Sequence, residues 1–175
     1  MEKLLISTER LTITEFNKNM AQTLHENSLD EDNRRFVPDE VFETVEEARE
    51  AIAALMDCYG EDDAPLVYPV LLKSGEVIGH VQIVPLDDEW EVGYHIAKRH
   101  TGNGYATEAI KAFLPTIMNR LGISRVLGIV DAENVASCAV LEKCGFVLEQ
   151  EEEREYHGEV RKMYVAKGVN NARIS

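Results

Sequence analysis

Ile96-Ala97-Lys98-Arg99-His100-Thr101-Gly102-Asn103-Gly104-Tyr105-Ala106 is the stretch that decides the fold. Before it, Trp90 to Ala97 reads as a strand. After it, apolar residues fall at Ala106, Ala109, Ile110, Phe113, Leu114, Ile117, Met118 and Leu121, the spacing of one helix face. Two glycines two apart let the chain turn sharply and let a ligand approach the backbone closely. The amides of Gly102 to Tyr105 open the helix and find no acceptor inside it, so with the helix dipole they form an anion site. Lys98, Arg99 and His100 place positive charge beside it. A glycine-rich turn that merely starts a helix shows the same pattern. Other phosphate loops fit poorly: there is no Gly-x-x-x-x-Gly-Lys-Ser/Thr, and Thr107 stands where a dinucleotide fingerprint has its third glycine. Gly122 suits a helix stop. Pro115 inside the stripe predicts a kink, or a place on a face that tolerates the lost hydrogen bond.

Working outward, Val67 to Lys73, Val77 to Val84 and Trp90 to Ala97 read as an antiparallel meander, with turns at Ser74-Gly75 and Asp87-Asp88. Toward the N-terminus, residues 11–16 alternate as a strand, 17–28 read as a weak helix and the polar stretch Asp30 to Asp39 as a loop. Thr44-Val45-Glu46-Glu47 resembles a capping box opening a helix to about Cys58. Beyond the long helix, Arg125 to Val130 is a short buried strand, and Asn134 caps a helix that ends at Cys144-Gly145. Phe146 to Glu153 and Val160 to Ala166 form a hairpin around His157-Gly158, and residues 168–175 read as a tail. The order β-α-α-β-β-β-α-β-α-β-β puts one right-handed parallel crossover inside an otherwise antiparallel sheet.

The 175 residues suit one domain. With 18 Lys and Arg against 32 Asp and Glu, the net charge of −14 repels phosphate polymers, so nucleic acid is not expected as a general ligand, whereas a cationic substrate is drawn in. An anionic cofactor then needs a local reversal of field, which the turn at 98–105 supplies. No apolar run approaches a membrane span. The acidic N-terminus does not read as a secretory signal, and three cysteines (Cys58, Cys138, Cys144) without metal-ligand spacing suit a reducing compartment, so a cytoplasmic protein is expected.

Arg99-x-x-Gly102-x-Gly104 matches the Arg/Gln-x-x-Gly-x-Gly/Ala signature of the GNAT superfamily of acetyl-CoA-dependent N-acetyltransferases, and Gly104-Tyr105-Ala106-Thr107-Glu108-Ala109 extends the match. Thr8-Glu9-Arg10-Leu11 and Glu91-Val92-Gly93-Tyr94 resemble two strands of the branch that contains the ribosomal-protein-alanine N-acetyltransferases. Asn134-x-x-Ser137 followed by Glu142-Lys143-Cys144-Gly145-Phe146 resembles that branch's second cofactor motif. The resemblance implies one α/β (α+β) domain over residues 1–175, with a mixed, mostly antiparallel twisted sheet of about seven strands, a splayed parallel pair and about four helices.

It also implies roles. Backbone nitrogens of Arg99, His100, Thr101, Gly102, Asn103, Gly104 and Tyr105 would hold the pyrophosphate of coenzyme A. The backbone of Tyr94 to Lys98, with Ile96 and Lys98 as amide donors, would pair with the pantetheine arm and polarise the thioester carbonyl. Asn134 would bond the pantetheine chain, although it equally suits a plain helix cap. An amine with a pKa of about 10.4 must lose a proton before it attacks. Glu91 is the candidate base, with His95 and His80 as alternatives; Glu91 also fits a surface strand residue. Leu141 replaces the tyrosine that many relatives use as acid, and the resemblance transfers that role to Ser137, which also fits a capping serine. Trp90, Phe113, Phe146, Cys138 and Cys144 read as packing residues, and no metal site is expected. The acceptor is expected to be a peptide N-terminus, a polyamine, an aminoglycoside or another small amine. The loops around 25–40 and 150–160 would line it, and the protein would act as a monomer or homodimer. The competing reading is a regulatory module that binds acyl-CoA without turnover.

Overall fold

The computed structural model describes residues 2–156 and 159–167, with side chains described for residues 2–149 and 162–167. The His157-Gly158 turn and the 168–175 tail therefore lie outside the described residues. One sheet runs through the domain, built from β1 (Ile6–Ser7), β2 (Leu11–Ile13), β3 (Leu66–Leu72), β4 (Val77–Leu86), β5 (Glu89–Ile96), β6 (Arg125–Asp131), β7 (Val147–Tyr156) and β8 (Glu159–Lys167). Its order is β1-β2-β3-β4-β5-β6-β8-β7. Every neighbouring pair is antiparallel except β5 with β6. The helices are α1 (Ala21–Ser28), α2 (Glu31–Phe36), α3 (Val45–Cys58), α4 (Tyr105–Leu121) and α5 (Val135–Lys143).

Alternation along the strands sends side chains to two cores. Leu66, Tyr68 and Val70 of β3, with Val92 and Ile96 of β5, join Ile110, Phe113 and Ile117 of α4 in the larger one. Val67 points the other way, into a smaller core with Leu24 of α1 and Ala48 and Ile52 of α3. The sheet is thus covered on both faces. Phe113 and Phe146 are core residues, and Trp90, Cys138 and Cys144 pack against that core, as packing residues should. Pro115 lies on the exposed face of an unbroken α4. No helix among the described residues is long and apolar enough to cross a membrane.

Four local expectations change. The sheet has eight strands, because Ile6–Ser7 pairs with Thr12 and Ile13. The 11–16 strand stops at Ile13. Residues 17–28 divide into a 3-10 turn at Lys18–Met20, capped by Asn17, and α1. The stretch expected as a loop from Asp30 to Asp39 carries α2 and a second 3-10 turn, Pro38–Glu40. Asp30 Oδ1 accepts from Asn33 N at 2.7 Å, and the first turn carries Glu31 and Asp32 and the last Arg34 and Arg35, in the sense the helix dipole favours. Its lack of an apolar stripe hid it from periodicity.

A polar clamp fixes the start of α4 to the β1–β2 turn. Glu108, in the first turn of α4, accepts from Thr8 Oγ1 at 2.7 Å, Arg10 N at 3.1 Å and Arg10 Nε at 2.7 Å. Arg10 also donates to the Asn103 carbonyl at 2.8 Å and covers the Tyr105 ring at 4.6 Å. Burial works to raise the Glu108 pKa, yet the bonds from Thr8 and Arg10 hold it below the ordinary carboxylate value. A depressed acid stabilises the fold above its unfolded pKa of about 4.3 and loses that contribution as pH falls through its folded value. Glu108→Gln is therefore expected to cost about 1–3 kcal/mol at neutral pH. In thermal melts, its gap from the wild type should close progressively below about pH 4.

Candidate functional site

The parallel pair β5 and β6 meets at a single rung, Glu91 opposite Leu127. Past it the strands part. β5 stays zipped to β4 from Gly79–Ile96 to Leu86–Glu89, and β6 to β8 from Arg125–Lys167 to Asp131–Arg161, so each is held by its outer neighbour. A cleft of about 690 Å³ fills the gap.

At its upper end stands the glycine turn. Lys98–His100 form one 3-10 turn closed by the amides of His100 and Thr101, which bond Ala97 O and Lys98 O. Gly102 and Gly104 then take φ of +79° and +78°, a region closed to most residues with a Cβ. Gly104 caps α4 without a side-chain bond. The first amides of α4 have no acceptor within the helix, and a helix start of this kind suits a diphosphate.

The neighbouring cations hold the turn in place. Lys98 Nζ bonds Asp32 at 2.7 Å. Arg99 reaches away to Asn27 Oδ1 at 2.8 Å and Glu76 at 3.1 Å, and His100 Nε2 lies 3.2 Å from the same Glu76 oxygen. Of the residues expected at the cofactor, Tyr94, Ile96, Lys98, His100, Thr101, Gly102, Gly104, Tyr105, Asn134 and Ser137 line the cleft. Arg99 and Asn103 do not. The Arg99 side chain is spent on α1 and Glu76, and Asn103 bonds back to His100 O and Thr101 O while its carbonyl takes Arg10. Both therefore shape the turn. Asn134 does cap α5, accepting from Ser137 N at 3.2 Å.

The lower end lies on the opposite sheet face, where Glu91, Gly93 and His95 of β5 stand against Val84, Gln82 and His80 of β4. The α2 segment, missed in the sequence, roofs it. Asp30 Oδ2, on the same carboxyl that caps α2, lies 3.2 Å from His95 Nε2. Glu40 lies 3.3 Å from His80 Nε2 and accepts from Gln82 Nε2 at 3.0 Å. The two imidazoles are 5.8 Å apart. Burial and the nearby His80 push His95 below its ordinary pKa, against the pull of Asp30, so it is neutral at neutral pH. Burial works to raise Glu40, but His80 and Gln82 hold it low and ionised. With Asp30, Asp39, Glu40 and Glu91 at its wall, this end favours a cation. Among the described residues no group of three His, Cys, Asp or Glu is placed to hold a metal.

Residues 10–147 match the family model for the acetyltransferase (GNAT) domain, and the chain belongs to that family. It is 29% identical over 143 residues to the uncharacterized N-acetyltransferase YnaD of Bacillus subtilis, covering 80% of this chain and 81% of that one. The crystal structure of a GNAT-family acetyltransferase from Bacillus anthracis superposes with a TM-score of 0.77 at 26% identity, over 93% of this chain and 96% of that one. The ribosomal L7/L12 alpha-N-protein acetyltransferase RimL, solved with coenzyme A, shares the fold with a TM-score of 0.80 at 19% identity, over 94% and 98%. The fold neighbours thus include the ribosomal-protein branch that the motifs resemble.

Asp30 joins the cap of α2 to the wall of the cleft. Asp30→Ala is expected to cost about 1 kcal/mol in unfolding free energy. Amide exchange should quicken at residues 31–36 and stay unchanged along α4.

Proposed function

Proceeding from membership in the GNAT acetyltransferase family, we propose that this chain transfers the acetyl group of acetyl-CoA to a primary amine on a small cationic molecule or a protein N-terminus, by direct attack with both substrates bound. The single observation that carries the reading is the parting of β5 from β6 beneath the left-handed glycine turn that opens α4. Backbone on the open edge of β5 has no strand beside it, so an extended amide chain of pantetheine type can pair there as an added strand. The turn then meets the diphosphate at the end of that chain. The sheet-face end lined by Asp30, Asp39, Glu40 and Glu91 attracts the amine as its cation, and a base must then take a proton before attack.

Glu91 is the base on this reading. It lines the cleft at the apex where the two strands part. A second reading is favoured by the Asp30–His95 contact: a neutral imidazole whose Nε2 is held by a carboxylate is an oriented base. Ser137, at the first turn of α5 on the cleft wall, is the donor toward the departing sulfur.

Thiol release from acetyl-CoA, followed with dipeptides, polyamines and aminoglycosides side by side, tests the proposal. At least one cationic amine should turn over; saturable acetyl-CoA binding with no thiol released for any amine would instead mark a regulatory module. Gly104→Val forces a branched side chain into left-handed φ at the diphosphate turn and should raise the KM for acetyl-CoA about tenfold or more. The base assignment turns on pH. Removal of the true base, by Glu91→Gln or His95→Gln, should lower kcat roughly 10²–10⁴-fold. If His95 serves, the wild-type rate should hold down through the ordinary histidine pKa of about 6.5 before it falls, because burial disfavours the protonated ring and keeps it a free base to lower pH.

A further inference from the structure

Tyr94 sits on β5 at the wall of the cleft, with its ring against the main core. Its Oη is buried and has no hydrogen-bond partner among the described residues. A buried hydroxyl left unpaired is costly, and native folds keep few of them. Ser137 lines the same cleft from α5 and acts to favour the phenolate, yet the two hydroxyls form no hydrogen bond. Asn134 already takes the Ser137 amide and so fixes the residue's backbone, while its hydroxyl is a rotor that can both donate and accept. One turn further along α5 stands Leu141, almost wholly buried, so that helix offers no phenol of its own to the cleft.

We propose that Tyr94 is a positioning residue for acyl transfer: its Oη–H donates to Ser137 Oγ when the Ser137 hydroxyl turns toward the departing sulfur, forming a two-hydroxyl relay from β5 to α5. This rests on the transferase reading and on Ser137 as the sulfur's donor. In the step served, the amine nitrogen bonds the carbonyl carbon, the electron pair of the carbon–sulfur bond passes to sulfur, and the ammonium proton passes to the base. Burial pushes the Tyr94 phenol up to about 12, while an ordinary thiol lies near 8.5. Both hydroxyls therefore keep their protons. Tyr94 polarises Ser137, Ser137 stabilises the developing thiolate, and solvent water protonates the sulfur as it leaves.

The test is a double-mutant cycle read by steady-state thiol release with an accepted amine, with thermal melting to verify folding. Tyr94→Phe keeps the ring and removes only the hydroxyl. It is expected to lower kcat about tenfold and to leave the KM for acetyl-CoA within about twofold. Ser137→Ala should lower kcat by more, and adding Tyr94→Phe to it should change kcat by less than about twofold, because the relay has already lost its middle member. An unchanged kcat in Tyr94→Phe overturns the relay, as does the same loss in both backgrounds, which marks a packing role. If Ser137→Ala keeps full kcat, the serine assignment fails and the relay falls with it while the transferase reading stands. A wild type that releases no thiol with any amine defeats the transferase reading itself.

Discussion

A sheet strand that loses its neighbour leaves a row of amides and carbonyls without partners, and inside a domain those groups must be satisfied by something. In this chain the row is the open edge of β5 beyond Glu91, facing the diverging β6. The parting persists because both strands are anchored elsewhere, β5 along its whole length to β4 and β6 along its whole length to β8. Closing the gap would move each strand together with the ladder it carries. Every other part of the site is arranged around this gap: the glycine turn at its head, α4 and α5 on one face, and α2 with two histidines on the other.

Electrostatics divide the gap into two ends. The chain carries a net charge of −14, and the lower end gathers the carboxylates of Asp30, Asp39, Glu40 and Glu91. At the head of the gap, Lys98, Arg99, His100 and Arg10 each meet a carboxylate, Asp32, Glu76 or Glu108. The pairs with Asp32 and Glu76 are exposed and screened, so they add little stability, but they hold the turn in one shape. On the proposed reading, attraction for an anion comes chiefly from backbone amides, which need no counter-charge and cannot be neutralised by the surrounding acids.

How much of this was legible depended on whether a residue's role is local. Gly102 and Gly104 were readable because only glycine takes left-handed φ cheaply, and the long helix because its stripe repeats over four turns. The clamp of Thr8 and Arg10 on Glu108 explains why the pattern at 8–11 accompanies the one at 104–109: the two segments touch. α2 was not readable as a helix. It is short, polar and without a stripe; its signals were the cap at Asp30 and the order of its charges, Glu31 and Asp32 first and Arg34 and Arg35 last. The direction of the Arg99 side chain was not readable, because Asn27 and Glu76, which set it, lie far from it in sequence.

The sequence by itself determined most of the elements, the glycine turn and the family, because each is written in residues within a turn or two of one another. Tertiary structure alone decided which carboxylate faces which histidine, that Asp30 both caps α2 and holds His95, and that Tyr94 ends unpaired beside Ser137. Those contacts join residues far apart in the chain, and only the way β4, β5, α2 and α5 fold onto one another sets their distances.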